Sequence, residues 1–297
     1  MFYHDLHDNE NSHDKELKQL VQMDDLAIPK FVMPPLGIKP KKFVRKHFGP
    51  NSRLPMAQFL KGTTTLSFVY KPKTPQDKGG VIVAVDSRAT GGTYISSKTV
   101  EKIIPINDQL VATMAGGAAD CQYWTRVVSK YCNLFELREG TQISVAAASK
   151  YFANVMYDYR GQELGVVSFV AVHFDVVQWH FKHSMVCGVD KFGPSIYMVE
   201  AEGTRVKIDT ICSLGSGMLH AMSILDTKYK EAMTDAEALE LGREAIVYAT
   251  FRDAASGGHC NLCHITSEGK TIYPPFDVSD KYYEFMAKRG TPLVPEL

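Results

Sequence analysis

The dipeptide Gly62-Thr63, with the run that follows it, constrains this chain more than any other stretch. Thr64-Thr65-Leu66-Ser67-Phe68-Val69-Tyr70 alternates in the manner of a half-buried strand, and a leader of different character precedes it. A cut between Gly62 and Thr63 would leave a threonine with a hydroxyl and a free α-amine on one carbon skeleton, a nucleophile carrying its own base. Glycine before the cut lets another group approach the carbonyl closely. Taken alone the signal is weak, and a β-branched strand edge is the better explanation of these residues.

Length and composition narrow the field. A chain of 297 residues suits one large domain or two small ones, and 45% hydrophobic with 22% charged residues is ordinary for a globular protein. Lys+Arg and Asp+Glu both number 33, so no charge excess points to nucleic acid or a membrane surface. The longest apolar runs, such as Val166 to Val172, are too short to span a bilayer. Asp5, Asp8, Glu10, Asp14 and Glu16 stand where a secretory signal needs a basic and then apolar stretch. The six cysteines are therefore read as thiols.

Three parts emerge. Residues 1–62 show no sustained period and hold Pro29, Pro34, Pro35 and Pro40, with basic residues from Lys39 to Lys46; they read as an extended or poorly ordered leader. Residues 63–278 read as packed. Strands are predicted at Thr64–Tyr70, Val81–Asp86, Leu110–Ala115, Gly165–Val172, Ser195–Glu200, Thr210–Leu214, His259–Thr266 and Lys270–Tyr273. Helices are predicted at Ala118–Leu137, where Trp124, Val127, Val128, Tyr131, Leu134 and Phe135 share a face, and at Ser144–Tyr159. Two more are predicted at Gly217–Leu225 and from Thr234, where Thr234 and Glu237 form a capping box. Residues 279–297 read as a charged tail. This order predicts an α+β sandwich, with sheets stacked in the middle and helices outside.

Several segments then act together. Val85-Asp86-Ser87-Arg88-Ala89-Thr90, Lys102, Thr113-Met114-Ala115-Gly116-Gly117-Ala118-Ala119-Asp120-Cys121, Leu137-Arg138-Glu139, Ser144 to Lys150, Gly215-Ser216-Gly217 and Arg252 to Gly258 resemble the catalytic beta subunits of the eukaryotic 20S proteasome. The resemblance spans nearly all of 63–276, and Gly62 to Leu66 with Met114 to Cys121 are most similar to the type-5, chymotrypsin-like branch. It implies the N-terminal nucleophile hydrolase fold, a four-layer α-β-β-α sandwich of two stacked antiparallel sheets, and a propeptide, residues 1–62, removed by self-cleavage at Gly62-Thr63. It also implies neighbours: other beta subunits in a seven-membered ring, an alpha ring, and unfolded polypeptide substrates, in cytoplasm and nucleus. No cofactor, metal, nucleic acid or membrane partner is implied.

The resemblance assigns roles. Thr63 is the nucleophile; its freed amine, with an ordinary pKa of about 7.7–8.0, suits a base near neutral pH. Lys102 favours the threonine oxygen as alkoxide, and Asp86 holds Lys102. Arg88, two residues on in a strand, is expected on the same side as Asp86. The amide of Gly116 is expected to bind the oxyanion, and Ser216, Asp253 and Ser256 to surround the threonine amine. Ala89, Thr90, Val100, Ile104, Met114 and Ala118 are expected to line a specificity pocket for large apolar side chains.

Some text departs from the family. Lys71–Lys78 lengthens a hairpin and reads as a surface loop. Residues 171–186 place about 16 extra residues where hairpin loops usually have about 2–5. They mix aromatics with His173, His180 and His183, without Gly or Pro. The segment reads as a retained intron or gene-model error, the alternative being a genuine insertion. His259-Cys260-Asn261-Leu262-Cys263-His264 suggests zinc by spacing, but in a strand Cys260 and Cys263 point to opposite faces. Two other functions stay in view, a non-catalytic ring subunit and a small-molecule amidase of the same fold.

Overall fold

Alternation along the first strand sets the architecture, because Leu66, Phe68 and Tyr70 face one core and Val69 another. The computed structural model describes residues 62–91, 94–115, 118–158, 183–200, 202–281 and 283. All belong to one compact unit, Gln58–Leu297.

The first sheet contains β1 (Thr64–Pro72), β2 (Gly80–Val85), β10 (Ile211–Gly215), β12 (His259–Thr266) and β13 (Gly269–Ile272), in the order β10-β1-β2-β12-β13. Short strands β11 (Ala232–Met233) and β14 (Phe276–Asp277) add to β1 and β12. The second sheet runs β5 (Ile103–Pro105), β6 (Leu110–Thr113), β7 (His183–Asp190), β8 (Gly193–Glu200) and β9 (Arg205–Ile208), every neighbouring pair antiparallel. A small ribbon joins β3 (Ala89–Gly91) to β4 (Tyr94–Ser97).

Three cores alternate with these layers. Val81, Val83 and Val85 meet Val111, Met185, Cys187 and Ile196 between the sheets. On the outer face of the first sheet, Leu66, Phe68 and Ile82 pack on α3 (Met218–Lys228) and α4 (Asp235–Arg252) through Ala221, Leu225, Leu241 and Ile246. On the outer face of the second, Leu110, Ala112 and Val186 pack on α1 (Ala118–Glu139) and α2 (Val145–Asp158) through Trp124, Val128 and Phe152. Each large side chain withdrawn from water contributes about 1.5–3 kcal/mol. The α-β-β-α order is the one the sequence predicts.

The predicted capping box is present. Glu237 N–H donates to Thr234 Oγ1 at 3.1 Å, and Thr234 N–H donates to the Glu237 carboxylate at 2.9 Å. Cys260 and Cys263 lie in different cores, as strand alternation requires.

Other expectations are corrected. The second strand ends at Val85, so Asp86 and Arg88 sit in a loop. The Lys71–Lys78 segment lies at the surface as expected, its first two residues ending β1, and it is tied to α4: Thr74 N–H and Oγ1–H donate to Asp77 Oδ2 at 2.9 and 2.7 Å, and Asp235 N–H donates to Asp77 Oδ1 at 3.0 Å. Helical backbone begins at Val278, the last residue of the predicted packed part, and runs to Lys281 in the predicted tail. The predicted strand Gly165–Val172 and residues 171–182 lie outside the described residues. Residues 183–186, counted above as extra text, open β7 and pair with β8, and Met185 and Val186 are fully buried.

Candidate active site

Elements of both sheets bring their ends together at Thr63. Thr63 precedes β1, Asp86 follows β2, and Lys102 precedes β5. Pairing of Thr65 with Val85 and the bond from Asp86 N–H to Thr64 O at 3.0 Å seat Asp86 beside Thr63. Lys102 comes from the facing sheet, its carbonyl accepting from Met114 N–H at 3.1 Å. Stacked sheets are therefore what allows these residues to meet.

Thr63 is 7% exposed, Lys102 3% and Asp86 0%. An ammonium has three donors, and those of Lys102 reach Asp86 Oδ1 at 2.6 Å, Thr63 Oγ1 at 3.0 Å and Gly62 O at 3.2 Å. Asp86 is held by backbone: Thr64 N–H donates to Oδ1 at 2.9 Å, and Gly257 and Arg88 N–H donate to Oδ2 at 3.0 and 3.2 Å. Burial lowers the pKa of Lys102 below the ordinary lysine value, against the opposing pull of Asp86. Thr63 Oγ1–H donates to the Gly62 carbonyl at 2.6 Å.

A second group lies across Thr63. Pairing of Thr64 with Gly215 places Ser216 beside it, and Thr63 N–H donates to Ser216 Oγ at 3.2 Å. Ser216 and Ser256 both donate to Asp253 Oδ2 at 2.6 Å. Asp253 is the C-cap of α4, so the helix end sets its position. Ser216 is exposed and Asp253 half-buried, so this side faces solvent.

Two glycines make the junction fit. Gly215 has φ 101°, a left-handed conformation, and a Cβ there would overlap Thr63 O. A Cβ at Gly62 would overlap the backbone carbonyl of Ala255.

Thus Thr63, Asp86, Lys102, Ser216, Asp253 and Ser256 are brought together. Arg88 meets Asp86 through its backbone N–H, while its guanidinium donates to Ala254 O at 3.0 Å. Gly116 lies outside the described residues, as does the side chain of Ala118, whose backbone opens α1. Ala89 and Thr90 lie on β3, Val100 N–H donates to Ser87 O at 2.9 Å, and Ile104 pairs with Ala112. These four are partly exposed and Met114 is buried. The sequence reading missed Thr64, whose Oγ1 lies 2.8 Å from Ser256 Oγ, and the Gly257 amide. A threonine inside a strand pattern and a backbone N–H carry no distinguishing side-chain signal.

A family model described as "Proteasome subunit" matches residues 61–180 and 180–265, the two pieces meeting inside the 171–186 segment. "Proteasome subunit pbs-5" of Caenorhabditis elegans is 56% identical over 260 residues, covering 88% of this chain and 85% of the relative. The chain belongs to the proteasome beta-subunit family. "Proteasome subunit beta type-5" of Dictyostelium discoideum is 42% identical over 264 residues, 88% of each chain. "Proteasome subunit beta type-8" of Homo sapiens is 41% identical over 261 residues, 88% of this chain and 84% of the relative. As a proteasome subunit, the chain assembles with other subunits of that complex. Among the described residues, no helix is long and apolar enough to cross a membrane.

Proposed function

We propose that this proteasome beta subunit is the chymotrypsin-like, threonine-type endopeptidase of a 20S core, with Thr63 as nucleophile. One observation carries the reading: the Lys102 ammonium reaches both the Thr63 hydroxyl and the Gly62 carbonyl. A single cation thus covers the attacking oxygen and the oxygen that gains charge when the junction is cut. Attack of Oγ1 on the Gly62 carbonyl carbon moves the acyl group from nitrogen to oxygen, and the hydroxyl proton ends on the released amine. Water then hydrolyses the ester, leaving a Gly62 carboxylate and a free Thr63. That amine takes the hydroxyl proton when Oγ1 attacks a substrate peptide, and Ser216, Asp253 and Ser256 orient it. Before the cut this nitrogen is an amide, so residues 1–62 mask activity chemically.

Ala89, Thr90, Val100, Ile104, Met114 and Ala118 line the pocket for a large apolar side chain, and the Gly116 amide receives the oxyanion. The subunit sits in a seven-membered beta ring against an alpha ring and degrades unfolded polypeptides, ubiquitin-dependent clients among them, in cytoplasm and nucleus. A non-catalytic ring subunit would have no use for a buried Asp86–Lys102 pair aimed at a Gly–Thr junction. The test uses the assembled particle: intact mass of the subunit and hydrolysis of peptides with apolar, basic or acidic residues before the cleaved bond. A mass starting at Thr63 and an apolar preference support the reading; a retained leader with full activity overturns it.

Gly62→Ala is expected to slow self-cleavage at least about tenfold, because the added methyl displaces the junction from its seat against Ala255. Accumulation of precursor in a pulse-chase measurement checks this. The lowered Lys102 pKa has a pH consequence. The folded chain holds this proton less tightly than the unfolded chain, so its contribution to stability rises with pH between the folded value and the ordinary one. Activity needs the charged form, so the alkaline limb of kcat is expected below the ordinary lysine value. Asp86→Asn removes the opposing charge and is expected to bring the limb lower still.

A further inference from the structure

One residue belongs to both hydrogen-bond groups around Thr63. Thr64 gives its backbone N–H to Asp86 Oδ1 at 2.9 Å, and its Oγ1 lies 2.8 Å from Ser256 Oγ. Both Thr64 and Ser256 are 0% exposed. The direction of the hydroxyl bond follows from the next one. Ser256 has a single proton, and it donates that proton to Asp253 Oδ2 at 2.6 Å. It therefore accepts from Thr64. The same Asp253 oxygen takes the Ser216 proton at 2.6 Å, and Ser216 Oγ accepts from Thr63 N–H at 3.2 Å. One carboxylate oxygen thus collects two hydroxyl chains, one begun by Thr64 and the other by the nucleophile's own nitrogen.

Packing does not require the hydroxyl. Thr64 faces the same side of β1 as Leu66 and Phe68, whose neighbours are apolar, and valine has nearly the same shape. A buried hydroxyl is costly unless it is bonded. Space is nonetheless kept for it: a Cβ at Gly217 would overlap Thr64 Oγ1.

We propose that Thr64 is a positioning residue for the reaction, orienting Ser256 through its hydroxyl and thereby setting how strongly Asp253 acts on the Thr63 amine. This rests on the reading of Thr63 as nucleophile. A hydroxyl that accepts a bond becomes a better donor, so Thr64 strengthens the Ser256 bond to Asp253. Part of the carboxylate charge is spent there and is withheld from the Ser216 side. Without the Thr64 hydroxyl, Asp253 acts more fully on the amine through Ser216, and the protonated amine is favoured.

Thr64→Val in the assembled particle tests this. The expected result is a fall in kcat of about tenfold on an apolar-site peptide, the scale of one lost hydrogen bond, with KM unchanged. The acid limb of the kcat profile moves up by about a few tenths of a pH unit. Thr64→Ser, which keeps the hydroxyl, restores both. In the Thr64→Val/Ser256→Ala double variant the loss matches that of Ser256→Ala alone, because the two act in series. An unmoved limb in Thr64→Val, or losses that multiply in the double variant, overturns the proposal. If Thr64→Val chains do not assemble, Ser256→Ala removes the same donation to Asp253 and must raise the acid limb; an unmoved limb there also overturns it. Thr63→Ala separates the two levels. An active Thr63→Ala particle overturns the nucleophile reading, whereas an inactive one beside an unaltered Thr64→Val particle overturns only the role of Thr64.

Discussion

Thr63→Ala is expected to stop both cutting reactions while leaving the fold in place. In the proposed mechanism the lost hydroxyl, 2.6 Å from the Gly62 carbonyl oxygen, attacks both that carbonyl and substrate. Deleting a hydrolase nucleophile costs about 10⁶-fold in kcat, which takes peptide hydrolysis by this subunit to background. The chain should accumulate with residues 1–62 attached, read by intact mass. Fold is preserved because the β1 ladders begin at Thr64 and are untouched, and Lys102 keeps Asp86 and Gly62 O as partners. Thr63→Ser retains a hydroxyl at the same position and should keep both reactions at a reduced rate. An Ala variant that processes and hydrolyses normally would remove Thr63 from the mechanism.

The second large effect concerns Lys102. Lys102→Met keeps an unbranched chain of similar length and removes the charge. Three oxygens lose a donor at once: Thr63 Oγ1, Gly62 O and Asp86 Oδ1. Loss of a positioned cation of this kind is expected to lower processing and peptide hydrolysis by about 10³-fold or more. It also leaves Asp86 buried without its counter-charge, which costs about 3–5 kcal/mol when a buried pair is broken from one side. Three backbone N–H bonds to Asp86 remain and hold the cost toward the lower end. Adding Asp86→Asn separates the two consequences. The double variant should recover much of the thermal stability, because no unpaired charge remains, and none of the activity. Activity that returns with stability would make the pair structural only.

What was legible in the sequence follows from the strength of local patterns. The long helices announced themselves through apolar stripes such as Trp124, Val128 and Phe135, and α4 through its Thr234–Glu237 cap. The first strand was readable because Leu66, Phe68 and Tyr70 alternate with Ser67 and Val69. Strands β3 to β5 are three or four residues long and carry no period to detect, and β9 is mostly exposed. Strand β7 was hidden differently, because its first four residues, 183–186, fall inside the text read as departing from the family. At the site, the charged and hydroxyl side chains could be picked out only as a resembling set; each alone looks like a surface group. Backbone contributors such as the Gly257 amide, and the hydroxyl of Thr64, depend on which loop faces which strand.

The placement of Thr63 one residue before a doubly paired strand has a mechanical consequence. Cutting at Gly62 would create a chain terminus, ordinarily the part of a protein most prone to fraying. Here the second residue is already laddered to Gly215, and the third to Leu214 on one side and Val85 on the other. Only a single rotatable residue would protrude beyond the sheet. A newly made end would therefore be born stiff, with the entropy of holding its amine in place met during folding of the sheet rather than at each turnover.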